Sequence, residues 1–286
     1  MPLVSEEKQE PSPVLPLTRR ERREAAHGRV PLPRRATAVR PLTIAGTVAL
    51  AALIALTGYA SPRFVVLAVA LGGLVLAWGW PWLLGLPSPR GTTGVLAAGT
   101  LLLAAAVLLT PDDPWLRWMP AALAVAVIGA FLHQLLRRDG RPRLTESMAA
   151  SIAGLAIIAA GTAYSAVPHA LDGSHALACA MAGLGVGALA DPLIAVHRTR
   201  QWALFIAMLA GGLAAMAVAV LGGGPSPALG ALLGLLTAAV SHAARRVLAP
   251  LPAAAHPRSQ LASAAASSLL PGVVVFTVVF LPIFSR

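Results

Sequence analysis

Leu136-Arg137-Arg138-Asp139-Gly140-Arg141-Pro142-Arg143-Leu144-Thr145-Glu146-Ser147 separates two apolar runs and carries the densest charge found between any such pair. Four arginines within seven residues are costly to bury in lipid. The flanking runs, 119 to 136 and 148 to 167, are each near the roughly 20 residues a helix needs to cross a bilayer. The segment reads as a loop at a membrane surface. Because positively charged loops resist translocation, it reads as a cytoplasmic loop, and it sets the direction of every other span.

The whole chain agrees with that class. Hydrophobic residues make up 57% of the 286 and charged residues 12%, more apolar surface than one soluble core hides. The formal charge of +11 raises nucleic acid as a partner. The basic residues sit at the ends of apolar runs, however, with no basic helix face and no aromatic stacking platform, which argues against nucleic acid and for anionic lipid headgroups. All basic side chains but Lys8 are Arg, and Ala, Gly and Pro abound. We take this bias as a hypothesis of high-G+C bacterial codon usage, which the source genome tests. The single Cys179 can form no intrachain disulfide.

Residues 1 to 40 hold nine basic and five acidic side chains, several prolines and too little apolar material for a core. They read as a disordered Arg/Pro-rich cytoplasmic tail, with Arg19, Arg20, Arg22, Arg23, Arg34 and Arg35 available to anionic headgroups. Residues 41 to 286 read as an all-α, polytopic transmembrane bundle. Nine spans are expected, at about 41–60, 64–80, 92–110, 119–136, 148–167, 175–196, 202–222, 227–244 and 261–283. Helices are required, since lipid supplies no water for backbone groups and the alternation of a barrel strand is absent. The first run is long enough to span and follows a long charged region, so it is expected to stay attached. With the amino terminus cytoplasmic, nineteen Lys and Arg fall inside and only Arg63, Arg117 and Arg286 outside. That split puts the carboxy terminus outside; with the codon-usage hypothesis, a bacterial inner membrane is the expected location.

Interfacial and packing residues fit the same map. Trp78, Trp80, Trp82 and Trp202 fall at cytoplasmic boundaries, and Trp115 and Trp118 at an outer one, as an aromatic belt does. Gly183 and Gly187, and Gly230 and Gly234, have the four-residue spacing that lets helix backbones approach. Pro271-Gly272 is expected to bend the ninth span and free a carbonyl one turn earlier.

Polar side chains within spans are the functional candidates. His133, Gln134, Asp191, Ser241 and His242 all fall near the cytoplasmic boundary, joined by Gln260, Ser263 and Ser267 on one face of the ninth span. A shared recess is one reading. Interfacial solvation is the other, with Asp191 capping the turn that Pro192 begins and neutralised by Arg198 or Arg200. Asp191 and His242 are the catalytic candidates. Arg137, Arg138, Arg141, Arg143, Arg245 and Arg246 are the candidates for holding lipid or phosphate, with the central loop as the basic rim of the recess. Thr145 or Ser147 is expected to cap the fifth span. Asp112, Asp113, Asp172, His169 and His175 are too few and irregular for a zinc set, so no metal and no cofactor is expected. Phosphate loops, nucleophile elbows and metalloprotease motifs are absent from the sequence.

The span layout resembles the phosphatidate cytidylyltransferase (CDP-diacylglycerol synthase) family of membrane enzymes. Leu76-Ala77-Trp78-Gly79-Trp80 is similar to the family's Ala-x-Trp-Glu at the end of a second span. Ala188-Leu189-Ala190-Asp191 is similar to its Asp-Thr/Ser-Gly-Ala-Tyr region, and the helix 235 to 246, ending Ser241-His242-Ala243-Ala244-Arg245-Arg246, to its Ser-x-x-Lys-Arg. The family continues with Lys-Asp, His-Gly-Gly and Asp-Arg-x-Asp, whose aspartates hold magnesium. Here Leu251 to Gln260 replaces them, and no Asp or Glu follows Asp191. One aspartate does not build a magnesium site. The resemblance implies a catalytically degenerate relative that binds lipid or partners another envelope protein. Two alternatives stand beside it. One is an active lipid-headgroup transferase using Asp191, His242 and the Arg245-Arg246 pair; the other is a small-solute transporter, for which mid-membrane polar groups and an inverted repeat are wanting.

Overall fold

The computed structural model describes residues 38–110, 112–138, 140 and 142–281. Every regular element among them is helical, and nine are long and apolar enough to cross a membrane. The chain is a multi-pass membrane protein by that architecture. In order the helices are α1 (Pro41–Ala60), α2 (Pro62–Leu83), α3 (Pro89–Leu108), α4 (Met119–Leu136) and α5 (Leu144–Thr162). They continue with α6 (Gly173–Ala188), α7 (Ala203–Gly222), α8 (Pro227–Leu248), α9 (Pro257–Leu269) and α10 (Gly272–Phe280). α9 and α10 together make the ninth span. Proline occupies the first turn of α1, α2, α3, α4, α8 and α9, where its missing N–H has no helical partner to lose. The tail residues 1–37, with Lys8 and the basic positions from Arg19 to Arg35, lie outside the described residues, as do Asp139, Arg141 and Arg286.

Burial is graded by composition. Large apolar side chains of α1, α4 and α7 point outward, among them Leu56, Ile128, Phe131, Leu209 and Leu213. By contrast α9, rich in Ala and Ser, is buried from Ser259 to Leu269 except at Leu261. It packs against α1, α2, α5 and α8. Lipid is as apolar as leucine, so large side chains gain little by turning inward, whereas small ones let backbones meet. Two polar contacts mark the seam of α9 with α1. Thr43 donates to the Gln260 carbonyl at 3.2 Å, and Thr47 and Ser267 lie 3.4 Å apart.

The ninth span breaks where Pro271-Gly272 required. The Ser268 carbonyl one turn earlier accepts from the phenol of the fully buried Tyr164 at 3.0 Å. A side chain at Gly272 would run into the Ala160 carbonyl, so α5 packs closely at the break.

Contacts between turns assign the ends of the bundle. Arg40 donates to the Ala249 carbonyl at 2.6 Å, Arg143 to that of Gly85 at 2.8 Å, and Arg258 to that of Trp78 at 2.7 Å. At the opposite end Trp115 stacks on His169 with ring centroids 4.3 Å apart, and Ser174 donates to the Gly58 carbonyl at 2.8 Å. The alternation of the nine spans is therefore met in space. Ten of the twelve described arginines lie at the first end, which we call the basic end; Arg63 and Arg117 lie at the other.

Two sequence expectations fail locally. Trp80 is not interfacial: it is only 5% exposed and its indole donates to the Ala150 carbonyl at 2.8 Å, whereas Trp78, Trp82, Trp118 and Trp202 are exposed. Neither Thr145 nor Ser147 caps α5. Its N-cap is Arg143 in the left-handed region at φ 51°, with no side-chain cap. Arg143 instead pairs with Glu146 in the first turn of α5 and reaches across to the turn before α3. Negative charge beside a helix N-terminus supplies by electrostatics part of what a cap supplies by hydrogen bonding.

Candidate functional site

α6 ends at Ala188, and a 3-10 turn over Asp191–Ala195 follows. Pro192 in its first positions favours the break, since proline suits the start of a turn and removes a hydrogen bond from a helix interior. Asp191 does not cap that turn. Its carboxylate points at α8, which lies parallel to α6 with a constant offset of 51 residues: Gly183 meets Gly234, Gly187 meets Ala238, and Asp191 meets His242. Glycines one and two turns earlier thus bring the two backbones close enough for the polar pair to form.

The site is compact. Arg245 Nε donates to Asp191 Oδ2 at 2.6 Å and Nη2 to Oδ1 at 3.2 Å, a two-point contact of guanidinium on carboxylate. His242 Nδ1 lies 3.1 Å from Oδ1. A carboxylate only accepts, so this contact is a hydrogen bond when Nδ1 carries the proton. Arg245 Nη1 donates to Ser241 Oγ at 2.5 Å, one turn back on α8. The side chains of Arg245 and His242 are 4% exposed and that of Asp191 15%. Charges so far out of water persist only when paired and hydrogen-bonded, and here they are.

Further arginines surround this group. Arg246 lies within electrostatic reach of Asp191 and Arg200. Arg40, from the start of α1, sits near Arg246; burial first, and then that neighbouring charge, hold its guanidinium below the ordinary arginine value. Arg200 turns its Nε to the Ile194 carbonyl at 3.0 Å. Asp191 is therefore neutralised by Arg245, not by Arg198 or Arg200. The residue four positions before Arg245 supplies the geometric reason, since Ser241 fixes the fork against the carboxylate.

The polar residues of the basic end do not form one recess. His133 lies over Gly91, with Nε2 3.4 Å from Ser88 Oγ, and Arg137 donates to Gln134 at 2.8 Å. These contacts belong to the α3–α4 side. Gln260 and Ser267 line the α1–α9 seam, while Asp191, Ser241, His242 and Arg245 stand together on α6 and α8. Of the described arginines of the central loop, Arg143 holds the α2–α3 turn, Arg137 donates to Gln134, and Arg138 is exposed. His169 and His175, raised as zinc ligands, stack on Trp115 and meet Tyr59 edge-on, respectively. Among the described residues no three His, Cys, Asp or Glu side chains gather to hold a metal.

Arg40 and Arg258 carry contacts that sequence reading did not foresee, because their partners lie 209 and 180 residues away. No protein-family model, curated protein or solved structure matches the chain.

Proposed function

We propose that this is a non-catalytic bacterial inner-membrane protein whose basic end faces the cytoplasm, with its carboxy terminus outside, and that it binds the phosphate of anionic lipids there. The charge asymmetry carries the reading. Among the described residues the basic end has ten arginines and two carboxylates, Glu146 and Asp191, each already held by an arginine. The opposite end has two arginines and Asp112, Asp113 and Asp172. Each arginine near an anionic surface adds about 1 kcal/mol of attraction. Retention on a cytidylyltransferase-like scaffold as a degenerate relative fits the Asp191 geometry. With Arg245 and His242 on its two oxygens, the carboxylate is committed to an internal pair rather than to a metal or a substrate proton.

Orientation is tested by cysteine labelling in intact cells. In a Cys179→Ala background, Arg138→Cys is expected to resist an impermeant maleimide and Leu171→Cys, at an exposed turn, to react. The reverse pattern would place the basic end outside. For binding, purified protein in micelles is expected to take up phosphatidylglycerol in preference to phosphatidylcholine, with the preference shrinking as salt rises. Equal uptake of both lipids sinks the lipid reading. Turnover of phosphatidic acid with CTP and magnesium, abolished by Asp191→Ala, would replace it with the transferase.

A further inference from the structure

Between α1, α2 and α9 runs an apolar groove of about 200 Å³, open to the side of the bundle. Gly46, Ala49, Leu50 and Leu53 of α1 form one wall. Leu71, Gly72 and Val75 of α2 form the second, and Leu261, Ala264 and Ala265 of α9 the third. It has this depth because α1 and α2 offer glycine where α9 and α1 approach: a Cβ at Gly46 would press on Ala264, and one at Gly72 on Leu50.

Helical spacing carries the faces that line the groove toward the basic end. On α2, Leu71 and Val75 continue through Trp78 to Trp82 at steps of four, three and four, and on α9 Leu261 and Ala265 continue back to Arg258 at three and seven. Those continuations meet. The Arg258 guanidinium carbon lies 4.4 Å from the Trp78 ring centroid and 4.8 Å from that of Trp82, while its Nε donates to the Trp78 carbonyl. Gly79 permits the junction, since a side chain there would strike the Arg258 carbonyl and Ala262. Both tryptophans are 46% exposed, Arg258 is partly exposed, and among the described residues no carboxylate pairs with it.

We propose that this groove and its Arg258 cap form a binding site for one diacyl glycerophospholipid. The inference rests on the lipid reading above but uses none of the Asp191 residues. The phosphate takes the η nitrogens of Arg258, whose Nε is fixed and whose plane is held by two indoles; such a fork is preorganised for two phosphate oxygens. Trp78 and Trp82 sit at headgroup depth, where indoles partition. One acyl chain lies in the groove. From Leu71 to Trp82 α2 rises about 16 Å, roughly half of a 30 Å hydrocarbon core and so the depth of one leaflet. A helix from a partner protein would fill a groove of this kind equally well by shape, but it offers the apolar walls no matched anion at the Arg258 end.

Native mass spectrometry of the full chain in micelles tests the site with two probes of identical dioleoyl chains, phosphatidylglycerol and diacylglycerol. Arg258→Gln is expected to weaken the first phosphatidylglycerol adduct about tenfold, the scale of one hydrogen bond to a charged group, and to leave diacylglycerol unchanged. Ala49→Phe, which fills the groove from its exposed wall, is expected to weaken both probes. Arg63→Gln, at the far end, changes neither. Loss of both probes in Arg258→Gln together with a lower melting temperature would make Arg258 a packing residue only and overturn the site, as would retention of either probe by Ala49→Phe. If wild-type preference for phosphatidylglycerol over phosphatidylcholine persists in both variants, the groove is refuted while the basic-end reading stands. If wild type has no such preference, both fall.

Discussion

Arg245→Leu is expected to destabilise the folded protein by about 3 kcal/mol, the lower part of the range for breaking a buried ion pair. The substitution removes both guanidinium N–H contacts to the Asp191 carboxylate and leaves that charge 15% exposed, with His242 Nδ1 still beside one of its oxygens. Partial access to water is why the lower figure applies. Asp191→Leu strands the guanidinium instead, 4% exposed with only Ser241 to receive it, and a similar loss is expected. Replacing both together removes the charges along with their desolvation, so the double variant is expected to recover most of the stability. Unfolding of the three variants in mixed detergent micelles gives the coupling directly as a double-mutant cycle. Additive losses would mean that the pair does not form. Arg200→Leu, the partner that chain order suggested, is expected to show no coupling to Asp191 of this size.

That last contrast marks what the sequence carries and what it withholds. Span number and alternation follow from runs of apolar residues and from Arg placement. Both are local and cumulative, so an error at one residue does not move a helix. Gly183, Gly187, Gly230 and Gly234 were legible as contact positions for the same reason: spacing on one helix reveals a face. Which face meets which is a property of two helices, and nothing near Asp191 in the chain points to Arg245, 54 residues on. Arg198 and Arg200 were closer along the chain and lost to the residue that α6–α8 packing brought opposite. Trp80 shows the same limit. Its neighbours at 78 and 82 are exposed as an aromatic belt predicts, but the helix turns Trp80 by 200° relative to 78 and into the core, where Ala150 supplies a carbonyl. Gly211 on α7 has alanines, Ala207 and Ala215, rather than a second glycine at four-residue spacing on its buried face; a Cβ there would meet Ala238 and the Gly183 and Gly234 carbonyls.

The glycine contacts and the ion pair are one structure, and Gly187→Val shows it. A Cβ at 187 would press into Ala238, so the variant pushes α6 away from α8 one turn before Asp191 faces His242. Overpacking of a core generally costs about 1–3 kcal/mol, and here part of the obstruction is backbone, which has no rotamer to yield. The loss is expected at the top of that range. A second consequence separates this account from generic crowding. Arg245 reaches Asp191 only while the 51-residue offset brings the two helices together, so the Asp191–Arg245 coupling energy, measured again in the Gly187→Val background, is expected to collapse toward zero. Gly129→Val on α4 meets open space and is expected to leave both stability and coupling nearly unchanged. Full coupling surviving in Gly187→Val would mean that α6 and α8 tolerate separation without moving the carboxylate, and that the close approach of their backbones is not what holds the polar site together.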